Sequence, residues 1–254
     1  MNLVILGSGS MARFLGERFY RGGHRILQVF SRTPEHAGAL ATDLNSEPIS
    51  DINHLNPLAD AYVLALPDHA IREYSLRIPL SKACLIHCSG AHSIDILNSG
   101  FENRACIWVV YSVKQPVVSK DRSIPVVVEA TTAYARQTAE ELAATVSSTI
   151  YKLSAEQKAF THLGAVMVNN FSTHLYHIAY QLLHEKQVSF EILKPILQET
   201  IELLSTGDPG TLQTGPAVRH DEVTLQKQMN MLEKHPHWKF LYEAISRSIQ
   251  ESSS

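Results

Sequence analysis

The sequence predicts an α/β protein. A doubly wound parallel sheet spans residues 1–153, and a smaller all-helical domain follows over 154–254. Three observations carry this. A strand, a glycine turn and a helix open the chain. Apolar strand runs then alternate with helical patterns up to residue 153. Beyond Ser154 the strand pattern stops and only amphipathic helical periodicity remains.

The opening element is the most specific. Leu3-Val4-Ile5-Leu6 is a buried-strand run, and Gly7-Ser8-Gly9-Ser10-Met11-Ala12 follows as G-x-G-x-x-A. Ala12, Leu15, Gly16 and Phe19 then recur at helical spacing. Gly7 permits the tight turn, Gly9 leaves room for a pyrophosphate, and Ala12 lets the helix pack against the strand. Free N–H groups and the helix dipole at Ser8–Met11 favour an anion there. Framed by strand and helix, the motif points to a dinucleotide cofactor. The plain alternative is a glycine turn in another α/β protein.

The second strand, Arg25–Phe30, ends at Ser31-Arg32-Thr33. An NAD-specific fold places a carboxylate here to accept from the ribose 2′-hydroxyl. A guanidinium flanked by two hydroxyls suits a 2′-phosphate instead, so the reading is NADP. The alternative is a solvated arginine beside a helix cap.

Further helices are expected at 34–43 and 131–146. Further strands are expected at 47–49, 61–66, 84–88, 105–111, 124–129 and 149–153. In such sheets ligands sit outside the strand carboxyl ends, which adds two loops to the glycine turn and Ser31–Thr33. Leu66-Pro67-Asp68 is expected near the cofactor ribose and pyrophosphate, and Ser89-Gly90 nearer the nicotinamide. Either is otherwise an ordinary strand-to-helix turn. In the second part, long helices at 155–185 and 190–205 precede a Gly/Pro-rich loop at 206–217, then helices at 221–233 and 236–250. Ser189 is an expected N-cap, Pro195 an expected kink, and Ser252–Ser254 a frayed end.

Bulk properties bound the function. A net charge of −3 gives no nucleic-acid or membrane surface. No apolar run reaches membrane-spanning length, and residues 1–6 already form a strand rather than a leader. Three cysteines without C-x-x-C spacing fit a reducing cytoplasm and no metal cluster. His235-Pro236-His237 reads as a surface turn rather than a metal site.

His87-Cys88-Ser89-Gly90-Ala91, His162 to Phe171 (His-Leu-Gly-Ala-Val-Met-Val-Asn-Asn-Phe) and Gln213 to Asp221 (Gln-Thr-Gly-Pro-Ala-Val-Arg-His-Asp) carry a resemblance. The chain resembles a bacterial family that joins a Rossmann-like domain to the domain of unknown function 2520. That family lies within the superfamily of 6-phosphogluconate dehydrogenase and pyrroline-5-carboxylate reductase. The resemblance covers nearly the whole chain. It implies an NADP oxidoreductase that dimerises through its helical domain. Members carry His-Pro-Leu-Gln or Tyr-Pro-Leu-Gln after the strand ending near 110. This chain has Tyr111-Ser112-Val113-Lys114-Gln115, so that loop's role is not carried over.

The superfamily's β-hydroxyacid dehydrogenases use Lys-x-x-Asn-Asn on the first long helix of the second domain. Here Asn169-Asn170 are present and Val166 stands at the lysine position. Valine moves no proton. His162, Val166, Asn170 and His174 are spaced by four, so His162 lies one turn from the vacant position and is the expected acid/base. Asn170 is expected to hold a substrate carbonyl or hydroxyl. Alternatively these polar groups satisfy contacts beside a core stripe of Phe160, Leu163, Met167, Phe171, Leu175, Ile178 and Leu182.

Pro216 suits a helix first turn capped by Thr214 or Gly215, and Arg219 suits a carboxylate. Pro209-Gly210-Thr211 also resembles the substrate loop of pyrroline-5-carboxylate reductases. The alternative is an Arg219–Asp221 pair bracing a dimer-interface loop. The site so assembled is Ser89, His162, Asn170 and Arg219. It belongs to a reductase of a small carboxylated carbonyl or imine compound or, alternatively, to a noncatalytic NADP-binding sensor. The apolar helices after 153 also predict a homodimer.

Overall fold

The computed structural model describes residues 1–113 and 124–252. Lys114 and Gln115 of the divergent loop, and Ser253 and Ser254 of the tail, lie outside the described residues. The strands are β1 (Asn2–Leu6), β2 (Arg25–Phe30), β3 (Glu47–Ile49), β4 (Ala61–Leu64), β5 (Cys84–His87), β6 (Arg104–Val109), β7 (Val126–Ala130) and β8 (Ile150–Lys152). They form one sheet in the order β3-β2-β1-β4-β5-β6-β7-β8. The chain runs outward from β1 through β2 to β3, then returns to β4 on the other side of β1. The switch point therefore falls between β1 and β4, which is where such sheets bind ligands. Every pairing is parallel except β6 with β7, which is antiparallel. The sheet is thus mostly rather than wholly parallel.

Alternation along β1 explains the two layers. Leu3 and Ile5 face one side, with Phe14, Leu15 and Phe19 of α1 (Ser10–Arg21), Leu40 and Ala41 of α2 (Pro34–Asp43), and Leu142 and Ala143 of α4 (Ala133–Val146). Val4 and Leu6 face the other side, with Ile71 and Tyr74 of α3 (Asp68–Arg77). Each fully buried Leu or Ile of this kind contributes about 1.5–3 kcal/mol. Beyond β5 the second face is covered differently. Cys106, Trp108 and Val127 form a separate cluster with Leu153 and Ala165.

That cluster lies under α5 (Ala155–Ala165), a helix that starts at a capping box. Ser154 Oγ accepts from the Gln157 amide at 3.1 Å, and Gln157 Oε1 accepts from the Ser154 amide at 2.9 Å. The chain divides into compact units at Val168/Asn169. The expected domain boundary is at 153; α5 falls in the first compact unit because it packs on β6 and β7, through Ala165 beside Cys106 and Trp108 and through Lys158 on Glu129.

The second unit contains α6 (Ser172–Glu185), α7 (Lys194–Leu204), α8 (Glu222–Met231) and α9 (Pro236–Ser252). Three local expectations change here. Pro195 occupies the first turn of α7, where its missing N–H costs nothing, so it starts that helix and does not kink it. Ser189 does cap, through the Glu191 amide, but the element it caps is a short 3-10 turn ahead of α7. The helix expected at Pro216 is a set of turns, and α8 starts later, at Glu222, with Asp221 as its N-cap. The tail is helical through Ser252. Within the unit, the His235 ring stacks on Trp238, with centroids 4.1 Å apart, and reaches Glu185 at 3.2 Å. An apolar cavity of about 370 Å³ opens among Leu175, Ile178, Leu182, Trp238, Leu241 and Ile245.

The apolar stripe read as core is mostly on the surface. Phe160 is 67% exposed and Phe171 56%, and Leu163, Met167 and Leu175 are exposed too; of the seven only Ile178 is buried. No helix among the described residues is long and apolar enough to cross a membrane.

Candidate active site

The first part of the site lies at the carboxyl ends of β1, β2 and β4. Gly7 adopts φ +126°, a conformation that side chains disfavour, and the position of a β-carbon on it runs into the Ala65 carbonyl oxygen. Its amide donates to Phe30 O at 2.8 Å, while the Ala65 amide donates to Leu6 O at 2.9 Å. The glycine turn is thereby tied to the ends of both neighbouring strands, and Leu66 packs beside it. Gly9 has nothing within 4 Å of where a β-carbon would be. It caps α1 without a side-chain bond, and no acidic residue occupies that helix's first turn. The leading amides of α1, at Ser10 and Met11, thus face no competing anion from their own helix. Ala12 is fully buried, as the motif requires.

Ser8 Oγ donates to Ser31 Oγ at 2.9 Å, and Ser31 Oγ also accepts the Thr33 amide at 3.3 Å. These contacts hold the turn after β2 against the glycine loop. Arg32 stands exposed between them and makes no ion pair among the described residues. Thr33 precedes α2 without a side-chain cap bond, so its hydroxyl is not committed to that helix. Pro67 and Asp68 open α3 and are exposed at the next strand end. A bare glycine, unopposed helix amides, an unpaired guanidinium and two neighbouring hydroxyls fit a pyrophosphate and a 2′-phosphate. They fit NADP better than NAD, because no carboxylate stands where the ribose reader would be.

The second part lies at the ends of β5 and β6, where Ser89 and Gly90 are buried. A β-carbon on Gly90 would lie 2.5 Å from Trp108 Cε2 and 2.6 Å from His162 Cδ2, so only glycine fits. The Trp108 and His162 rings meet edge to face, 5.5 Å apart. The structure thus places His162 against Gly90, next to Ser89. Ser89 accepts the Ala91 amide on its hydroxyl at 3.2 Å, and its own amide donates to His87 Nδ1 at 3.2 Å. His87 is fully buried. Burial, with the nearby Lys158 charge, pushes its pKa down to about 3, so it is neutral. Cys106 Sγ donates to Ser89 O at 3.5 Å, and burial raises this thiol to about 12, which keeps it protonated.

Sequence reasoning missed the group beneath this loop. Lys158 of α5 is only 1% exposed. Its Nζ lies 2.9 Å from Glu129 Oε2, a charge contact without hydrogen-bond alignment, and donates to His92 O. Glu129 Oε1 accepts from the Ile94 amide at 3.5 Å. Two signals were available. Lys158 precedes His162 by one helical turn, and Glu129 ends an otherwise apolar strand run.

The remaining expected residues belong to the second unit. Asn169 Nδ2 donates to Asn170 Oδ1 at 3.2 Å, and both are exposed. They sit in a π-helical segment, Val166–Phe171, between α5 and α6. Its wider turn breaks the spacing-by-four ridge expected for His162, Val166, Asn170 and His174, and π segments of this kind often mark functional positions. Arg219 is exposed and makes no ion pair among the described residues. The alternative Arg219–Asp221 brace makes no ion pair among the described residues. Asp221 instead accepts from the Thr224 hydroxyl at 2.7 Å and its amide at 3.1 Å, and these bonds lower its pKa.

Residues 124–249 match the family described as domain of unknown function DUF2520, and residues 2–89 match that described as NADP oxidoreductase, coenzyme F420-dependent. A Bacteroides fragilis protein assigned as an NADP oxidoreductase shares 30% identity over 98% of each chain, with a TM-score of 0.88. The chain belongs to this family of NADP oxidoreductases. A Thermotoga maritima protein is similar at 21% identity over 99% of this chain and 98% of that one, TM-score 0.75. An imine reductase from Myxococcus stipitatus, in complex with NADP+, shares the fold at 14% identity over 99% and 94%, TM-score 0.67. No curated protein matches. NADP is the cofactor that goes with this membership and with the Ser31-Arg32-Thr33 turn.

Proposed function

We propose that the protein is an NADPH-dependent reductase of a small carboxylated carbonyl or imine compound. The observation that carries this is the Arg32 turn, locked to the glycine loop through Ser8 and Ser31, with the Arg32 guanidinium making no ion pair among the described residues. Gly7, Ser8, Gly9, Ser10 and Met11 would hold the pyrophosphate, Leu66, Pro67 and Asp68 the adjoining ribose, and Ser31, Arg32 and Thr33 the 2′-phosphate. NADPH, when bound, supplies the hydride. Ser89-Gly90 forms the wall at the nicotinamide end, and a ring nitrogen of His162 carries the proton that the reduced oxygen or nitrogen needs. In the helical unit, the Asn170 amide suits a substrate's polar group, and the Arg219 guanidinium suits a carboxylate. The folds shared with an imine reductase and with a pyrroline-5-carboxylate reductase from Coxiella burnetii support an imine or carbonyl substrate. The exposed apolar face running through Phe160, Leu163, Met167 and Phe171 supports a homodimer.

Val166 at the lysine position supports a second reading, a noncatalytic NADP-binding sensor. A panel of small oxo acids, each with and without an amine, separates the two. NADPH oxidation with a member of the panel supports the reductase. NADPH binding without turnover on any compound favours the sensor.

A further inference from the structure

Lysine is almost never fully buried, and a buried ion pair is a poor source of stability. Replacing one with apolar residues of similar size is often neutral or favourable. The Lys158–Glu129 pair needs another reason. Its contacts supply one, since each partner holds the same loop, and Cys106 beside Lys158 holds it too. Lys158 Nζ donates to the His92 carbonyl, Glu129 accepts the Ile94 amide, and Cys106 donates to the Ser89 carbonyl. Three elements, α5, β6 and β7, thus grip the backbone between Ser89 and Ile94. The pair also fixes how closely α5 approaches that loop. One turn beyond Lys158 on the same helix, His162 presses on Gly90 and Trp108. A shift of α5 or of the loop would change the gap at Gly90, where no spare space exists.

We propose that Lys158 and Glu129 are positioning residues, which clasp the Ser89–Ile94 loop to α5 and so set the wall against which the nicotinamide ring and His162 are held. The proposal rests on the NADP reading above. It assigns the pair no proton transfer and no contact with substrate. The clasp acts at the nicotinamide end alone, because the residues that suit the 2′-phosphate and pyrophosphate lie at the ends of β1, β2 and β4.

The test compares two ligands, NADPH and 2′-phospho-ADP-ribose, which lacks the nicotinamide. Both are titrated against the wild-type protein and the paired variant Lys158→Met/Glu129→Gln, with nicotinamide emission followed for NADPH. The paired variant leaves no lone buried charge. We expect it to bind 2′-phospho-ADP-ribose within twofold of wild type, to bind NADPH at least fivefold more weakly, and to shift the emission of the bound nicotinamide. Equal NADPH affinity and unchanged emission in the folded variant would overturn the clasp while leaving the NADP reading intact. Equal weakening of both ligands would also overturn it, by showing a general structural role. Wild-type protein that binds neither ligand would overturn the cofactor reading and the clasp together. Glu129→Asp retains both charges but withdraws the carboxylate by one methylene. It covers the case in which the paired variant does not fold, and a ratio of the two affinities identical to wild type would count against the clasp.

Discussion

The sheet unit and the helical unit solve the burial problem differently. In the first, β1, β4 and β5 are buried along nearly their whole length, and helices cover the sheet face to face. Its polar atoms at the strand ends are tied into short, specific contacts, such as Ser8–Ser31 and Lys158–Glu129. In the second, few large apolar side chains are fully buried, while Phe171, Ile192, Ile196, Ile201 and Phe240 are all exposed. In the first unit the sheet core is closed and carries a preformed cradle, and its exposed apolar side chains include Phe160, Leu163 and Met167 near the end of α5. The second leaves large apolar side chains exposed, and the homodimer proposed above would cover them.

The sharpest way to break this comparison is to damage the cradle at one atom. Gly7→Ala adds a β-carbon at φ +126° that collides with the Ala65 carbonyl. NADPH affinity should fall by a hundredfold or more, about 3 kcal/mol, as measured by fluorescence titration. An affinity within threefold of wild type would show that the turn is not the anion cradle.

The second unit is tested by its mass in solution. Light scattering at micromolar concentration should give about twice 28.3 kDa. Phe171→Glu/Ile196→Glu should halve that value, because two carboxylates would be desolvated on an apolar face. A monomeric wild type would remove the explanation for the exposed stripe.

Smaller effects are expected at the substrate-facing residues. Asn170→Ala and Arg219→Ala should each lower kcat/KM by about tenfold or more, roughly 1.4 kcal/mol, with NADPH binding nearly unchanged. Steady-state kinetics on the active member of the oxo-acid panel decides this. Unaltered kinetics in both variants would favour the sensor.

A pH-dependent effect belongs to His87. It is neutral in the fold, and its unfolded form titrates near 6.5 while the folded form is held down to about 3. Between those values the unfolded chain binds more protons, so stability falls as pH falls, by up to about 1.4 kcal/mol per pH unit. His87→Gln should flatten that acid limb in urea unfolding between pH 6 and 4. A limb of unchanged slope would place the acid sensitivity in other groups.

What the sequence made legible was local. Gly7, Gly9 and Ala12 act within one turn, and Ser31-Arg32-Thr33 stands at the end of one strand, so spacing alone revealed them. The fold class followed from the same short-range alternation of strand and helix. The resemblance sets the helix of Asn169-Asn170 near Ser89-Gly90, but the packing of His162 against Gly90 and Trp108 is read only from the structure. Lys158, Glu129, Cys106 and Trp108 were not legible, because their roles arise only when α5 lands on β6 and β7. The π segment at Asn170 was hidden because its residues also fit an α-helix. Pro216 misled because its residue type suits a helix start, yet Asp221, with Thr224 three residues on, made the stronger cap.

The central claim is that the cradle in the sheet unit is built for NADP. Isothermal calorimetry of NADPH and NADH against wild type and Arg32→Ala tests it most directly. Wild type should prefer NADPH. The variant should lose about 1–3 kcal/mol of NADPH affinity, the scale of a charge-assisted contact, with NADH binding unaltered. Equal affinity for the two cofactors, unchanged by the substitution, would contradict the account.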